Sequence, residues 1–164
     1  MMRFISKQWV GFYGSVVAAV LMIVSLALVA ANGNTVYYND VASLGGIIAA
    51  IVLAIVFTVA AVVVSETGLG ENRYASLAAD VVRAVGAMLM IVACLTFLNE
   101  RVESFGYIFG SNIELGNETA FTAGGQAISV IVLCAVTWII AVVSAAFAVT
   151  RRSRVKAEKK AEAA

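Results

Sequence analysis

Asp80 and Arg83 stand three residues apart at the head of a long apolar stretch, a spacing at which an acid and a base share one helix face and can pair. Charge inside a membrane is costly and is a common component of gates and ion pathways. This pair falls within the first two turns of its stretch, where an arginine can extend its head toward the membrane surface. The expected role is an inner-face ion pair that stabilises the entry of a helix, with a gating pair as the competing role. Further along, Phe105, Tyr107 and Phe109 alternate in a segment of mixed polarity, where Ile108, Ile113 and Leu115 add apolar surface. These three aromatics are the candidate interaction surface, either for a partner's membrane-proximal region or for the headgroup layer.

Other chemistry is thinly supplied. The chain has no histidine, which removes bis-histidine haem, histidine-ligated zinc and a histidine general base. Its two cysteines, Cys94 and Cys134, both lie within apolar stretches and form neither a CxxC pair nor an outer-loop disulfide framework. Measured from the expected ends of those stretches, Cys94 lies about one turn below the outer surface and Cys134 about two or three, so no bridge between them is expected. There is no proline to break a helix around a midplane transport site. No acid sits in the middle of a stretch either, which argues against proton-coupled four-helix exporters. Gly68-Leu-Gly70 and Gly124-Gly125 match no phosphate loop, and Asn117-Glu-Thr119 fits a glycosylation sequon. No catalytic residue, metal-ligand set or cofactor is expected, and the chain is not read as an enzyme.

The elements that must position these residues are long and apolar. Residues 10–31 and 41–65 contain no charged side chain, and further apolar stretches end at Leu98 and Thr150. At about 1.5 Å per residue each of the first two runs covers about 33–38 Å, enough for a hydrocarbon core of about 30 Å. The chain is 62% hydrophobic and 13% charged over 164 residues, and soluble domains hold about 45–50% apolar residues. The predicted architecture is all-α: an integral-membrane antiparallel four-helix bundle with one longer outer loop between helices 3 and 4. Its transmembrane domain is expected over 1–150, with spans at about 10–31, 41–65, 76–98 and 124–150, followed by a basic cytoplasmic tail at 151–164. The first run exceeds the 7–15 residues usual for a secretory h-region and is expected to be an uncleaved anchor.

Charge gives the threading. Ten of the eleven basic residues fall on one side: Arg3 and Lys7, Arg73 and Arg83, and six in the tail. Arg101 alone falls on the other, in a segment with Glu100, Glu103, Glu114 and Glu118. The positive-inside rule then predicts a multi-pass plasma-membrane protein with both termini cytoplasmic. The tail is expected to anchor to lipid head groups, with no nucleic-acid partner. Small residues at four-residue spacing, such as Gly11, Ser15 and Ala19 or Gly46, Ala50 and Ala54, are read as close-packing faces within the bundle.

The segment 99–121 is expected to be an outer loop with tight turns at Gly106, Gly110 and Gly116. Within it, the run Arg101-Val-Glu-Ser-Phe-Gly-Tyr-Ile-Phe-Gly-Ser111, followed by a small-residue-rich last span, resembles small uncharacterised four-span membrane proteins of Gram-positive bacteria. That resemblance implies a bacterial plasma membrane and brings no activity, ligand or catalytic residue with it. The expected function is a non-catalytic accessory or scaffold subunit acting laterally or through its outer loop. Its expected partners are the lipid bilayer and a membrane protein or further copies of the chain. The alternative is a small oligomeric transporter or channel, lined by residues such as Ser25, Thr58, Gln126, Ser129, Thr137 and Ser144.

Overall fold

Apolar runs without proline can satisfy their backbone polar groups internally by forming helices. The computed structural model describes residues 10–38, 43–67, 72–147 and 149. It contains four helices: α1 (Val10–Gly33), α2 (Leu44–Glu66), α3 (Arg73–Gly110) and α4 (Glu118–Ala146). No strand occurs among the described residues. All four helices are long and apolar enough to cross a membrane. The N-terminal cations Arg3 and Lys7 and the basic tail at 151–164 lie outside the described residues.

Each helix packs against two others: α1 and α3 both contact α2 and α4. The buried positions explain how. On α1 they include Ser15, Ala18, Met22, Ser25, Val29 and Asn32, and on α4 Ala120, Ala123, Ala127, Val130, Cys134, Thr137, Ala141 and Ser144. Steps of three and four alternate. This average of 3.5 holds a seam toward a neighbouring helix, whereas a strict four-residue stripe drifts around the cylinder. The predicted stripes therefore survive only in part, with Gly11 and Ser15 buried and Ala19 turned partly outward.

Glycines permit close approaches between neighbouring helices. A Cβ built on Gly14 of α1 would stand 2.6 Å from Ser144 Cβ of α4. One on Gly86 of α3 would stand 3.2 Å from the Ala54 carbonyl oxygen of α2.

The expected 23-residue loop between the third and fourth spans is corrected. α3 continues to Gly110 and α4 begins at Glu118, leaving a connection at 111–117. The reason is visible in what is buried: Phe97, Arg101 and Ile108 fall on one helical face, with Ser104 and Phe105 half-buried between them. Gly106 and Gly110, read as turns, sit within the helix with open space around them. Gly116 makes the turn, at φ +85°. Asn117 then starts α4 by accepting a hydrogen bond from Ala120 N at 3.1 Å, and Glu118 complements the positive end of the helix dipole.

Candidate functional site

α3 carries two buried arginines. Arg83 and Arg101 are eighteen residues apart, which is five turns, so they occupy the same face about 27 Å from one another. Arg83 is 3% exposed and Arg101 is fully buried, the largest side chain in the interior. Each reaches the carboxyl-terminal end of a neighbouring helix.

Arg83 Nη2 donates to the carbonyl oxygens of Ser144 and Phe147, the latter at 3.1 Å. These lie where α4 runs out of its own amide donors, and a cation there also meets the negative end of the dipole. The structure brings Asp80 and Arg83 together, with Nη1 to Oδ1 at 3.6 Å, while Asp80 remains open to its surroundings. The ion pair is thus the outer half of an arrangement whose inner half closes α4.

Arg101, counted in the sequence as an outer-loop charge, lies inside. Its Nε donates to Asn32 Oδ1 at 3.2 Å, and Asn32 Nδ2 in turn donates to the Ala123 carbonyl at 3.1 Å. The guanidinium lies 3.9 Å from the Tyr38 ring centre and 4.8 Å from that of Phe97, close enough for cation–π attraction. No carboxylate among the described residues is within ion-pair distance of it. One cation therefore joins the end of α1, the connection after it, α3 and the start of α4. The five-turn spacing from Arg83 was the available signal.

A second polar chain lies beside this one. Tyr37 Oη donates to Glu114 Oε1 at 3.3 Å, and Asn117 Nδ2 donates to Glu114 Oε2 at 2.7 Å. Burial first, and then the Glu114 carboxylate, push the Tyr37 phenol above its ordinary value. Tyr38 is also raised, by burial, against the opposing pull of Arg101.

The candidate aromatic surface divides. Because 99–110 is helical, Phe105 and Phe109 share a face and Tyr107 points away from them. Phe109 lies between Phe105 and Phe121, with ring centres at 6.0 and 5.8 Å, and packs over Gly124. Tyr107 is exposed and its hydroxyl donates to Glu103 at 3.2 Å. Phe105 and Phe109 thus help join α3 to α4, and Phe109, like Tyr107, still leaves much of its ring exposed.

Cys94 and Cys134 are free and buried in the same core cluster. The expected difference in depth was measured from an end of α3 at Leu98. From the actual ends, Cys94 is sixteen residues before Gly110 and Cys134 sixteen after Glu118, so they lie level. Cys94 Sγ donates to the Ile131 carbonyl at 3.8 Å. Among the described residues, no group of three or more His, Cys, Asp or Glu side chains is placed to hold a metal ion.

The remaining feature faces outward. A groove of about 400 Å³ lies between α1 and α4, bordered by Leu28, Asn32, Gln126 and Val130. A second hollow of about 320 Å³ continues toward the start of α4, bordered by Thr35, Glu118 and Thr122. Gln126 borders both, is exposed, and has no hydrogen-bond partner among the described residues.

Compared with family models, curated proteins and solved structures, the chain matches none.

Proposed function

We propose that this chain is a multi-pass plasma-membrane protein, an antiparallel four-helix bundle with both termini cytoplasmic, which serves as a non-catalytic accessory or scaffold subunit engaging its partners laterally. The observation that carries this reading is how the polar groups of the helices are distributed. Thr58, Thr137 and Ser144 donate to carbonyls three or four residues back in their own helices, as isolated hydroxyls in apolar helices do. Arg83, Asn32 and Arg101 are engaged in ties between helices. Ser15 and Ser25 make no hydrogen bond through their hydroxyls among the described residues, but both are buried inside the bundle, whereas Gln126 faces away from it. A polar side chain presented to lipid gains most from a lateral partner that satisfies it.

The meeting of the α1 end with the α4 start, and of the α3 start with the α4 end, supports the alternating threading. So does the charge asymmetry of the sequence. A photoreactive side chain at Gln126 should cross-link to a lateral partner in native membranes, and one at Val92, on the exposed side of α3, should not. Equal labelling at both positions, or a lone monomer after gentle cross-linking, would overturn the scaffold reading.

The competing transport reading also rests on Gln126. Reconstituted solute flux that disappears on Gln126→Leu would favour it.

A further inference from the structure

We propose that the groove between α1 and α4 binds a membrane amphiphile with an uncharged, polyhydroxy head group, of the glycosyl diacylglycerol class. The inference rests on the membrane-inserted reading above and names the chemistry of one lateral partner.

The two hollows form one path because Gln126 borders both. Along α4 the path runs from Glu118 to Val130, twelve residues or about 18 Å, the length of a head group and the upper part of an acyl chain. Each hollow has a volume within the range of about 300–1,000 Å³ typical of small-molecule sites. Polarity is graded along the path. The end near the start of α4 presents Thr35, Glu118, Thr119 and Thr122. The deeper end is lined by Leu28, Ala31 and Val130, with Asn32 and Ser129 as its further polar side chains, and is the more apolar of the two. A head group and a tail have the same gradation.

The polar end also selects among head groups. Among the described residues no lysine or arginine lines either hollow, and Glu118 contributes a negative charge to the polar one. A phosphate would meet repulsion there without a cation to offset it. Threonine hydroxyls, a carboxylate and the Gln126 amide instead match sugar hydroxyls, which both donate and accept. Gln126 stands where the path turns apolar, so a ligand hydroxyl at that point would satisfy an amide otherwise left against lipid.

Access is lateral. A Cβ on Gly125 would meet nothing within 4 Å, whereas one on its neighbour Gly124 would meet Phe109 at 3.0 Å. The groove is therefore open to the bilayer at Gly125 and closed toward α3 at Gly124. A side chain at position 125, whose Cβ meets no protein atom, would project at the border of the groove.

The test is reconstitution of the full chain in nanodiscs holding equal amounts of monoglucosyl diacylglycerol and phosphatidylglycerol, with retained lipid counted by native mass spectrometry. The wild type should retain the glucosyl lipid over phosphatidylglycerol by at least about tenfold. Gly125→Leu should abolish that preference with helicity and melting temperature unchanged, and Val92→Leu should leave it intact. Should Gly125→Leu shift the melting temperature, Gln126→Leu, a change of one exposed side chain at nearly constant size, makes the same comparison. Equal retention of the two lipids, or a preference indifferent to both groove variants, overturns the proposal. A dimer that Gly125→Leu dissociates, without lipid preference, also overturns it and assigns the groove to a second copy, leaving the lateral-partner reading standing. Failure of the chain to enter bilayers at all would overturn both.

Discussion

Arg101 brings a full positive charge to a position with no exposed surface, and the groups around it show how that is tolerated. One hydrogen bond from Nε to Asn32 and the faces of Tyr38 and Phe97 replace part of the water on the guanidinium, while Nη1 and Nη2 are buried without a hydrogen-bond partner among the described residues. Removing one partner of such a set leaves the other buried and unpaired, which costs more than removing both. Asn32→Leu should therefore destabilise the protein by about 1.5–3 kcal/mol. The double variant Asn32→Leu with Arg101→Met should be more stable than Asn32→Leu alone, because no charge is then stranded. Unfolding in detergent micelles, read as a double-mutant cycle, measures both. Independent effects of the two substitutions would show that Asn32 does not hold Arg101. Tyr37 makes a second, titratable case. Its ionisation is raised above the ordinary value of 10.0 by burial and then by Glu114. The folded state thus holds the phenol proton more tightly than the unfolded chain does. This contribution is fully present below pH 10, and it is lost as pH rises through the raised value. Glu114→Gln should lower the Tyr37 transition part of the way back, since burial persists. The difference in tyrosinate absorbance between each protein and its Tyr37→Phe counterpart reports the shift.

The elements differ in how far they can be read from the chain. α1 and α2 were legible because apolar runs without proline or charge leave a helix as the economical conformation, and their boundaries fall within a few residues of those expected. The far third of α3 was not. Glu100, Arg101 and Glu103 lower the hydropathy there, and hydropathy alone does not separate a solvated helix from a loop. Gly106 and Gly110 strengthened the misreading, since glycine marks a turn only where its backbone freedom is used, as at Gly116. The role of Arg101 was out of reach for another reason: it depends on Asn32, 69 residues away, arriving beside it. Asp80 and Arg83 were legible as a pair because both partners share one turn, whereas the carbonyls that Arg83 closes lie 61 and 64 residues distant. Two glycine substitutions test the corrected elements in opposite directions. Gly106→Ala, with open space at its Cβ, should stabilise by about 0.5–1 kcal/mol if 99–110 is helix, and should bring no such gain in a loop. Gly14→Ala should destabilise by about 1–3 kcal/mol, because its methyl would meet Ser144 Cβ at 2.6 Å and the α1–α4 contact would have to open. Thermal melting in one detergent ranks both against the wild type.

At the scale of the whole molecule, α3 governs how the protein would sit in a bilayer. It has 38 residues, about 57 Å, nearly twice the hydrocarbon thickness of about 30 Å, so it cannot be immersed along its full length. Its charges mark where immersion would stop. Between Arg83 and Glu100 there is no charged residue, and the two buried arginines that bound this interval are about 27 Å apart on one face. Arg83 closes the end of α4 and Arg101 holds the end of α1, so these levels are shared with the neighbouring helices. In the membrane-inserted arrangement proposed above, the hydrocarbon slab spans this interval, and the ends of α3 project beyond it on both sides. Stability should then peak in bilayers with hydrocarbon about 27–30 Å thick. Mismatch costs a fraction of a kcal/mol per Å, so a bilayer about 5 Å thinner or thicker should lower the melting temperature by about 3–6 °C. Melting in nanodiscs of graded acyl length measures the position of that maximum. A maximum near 40 Å or beyond would mean that the membrane follows the full length of α3, and that its two arginines do not set the boundaries of the span.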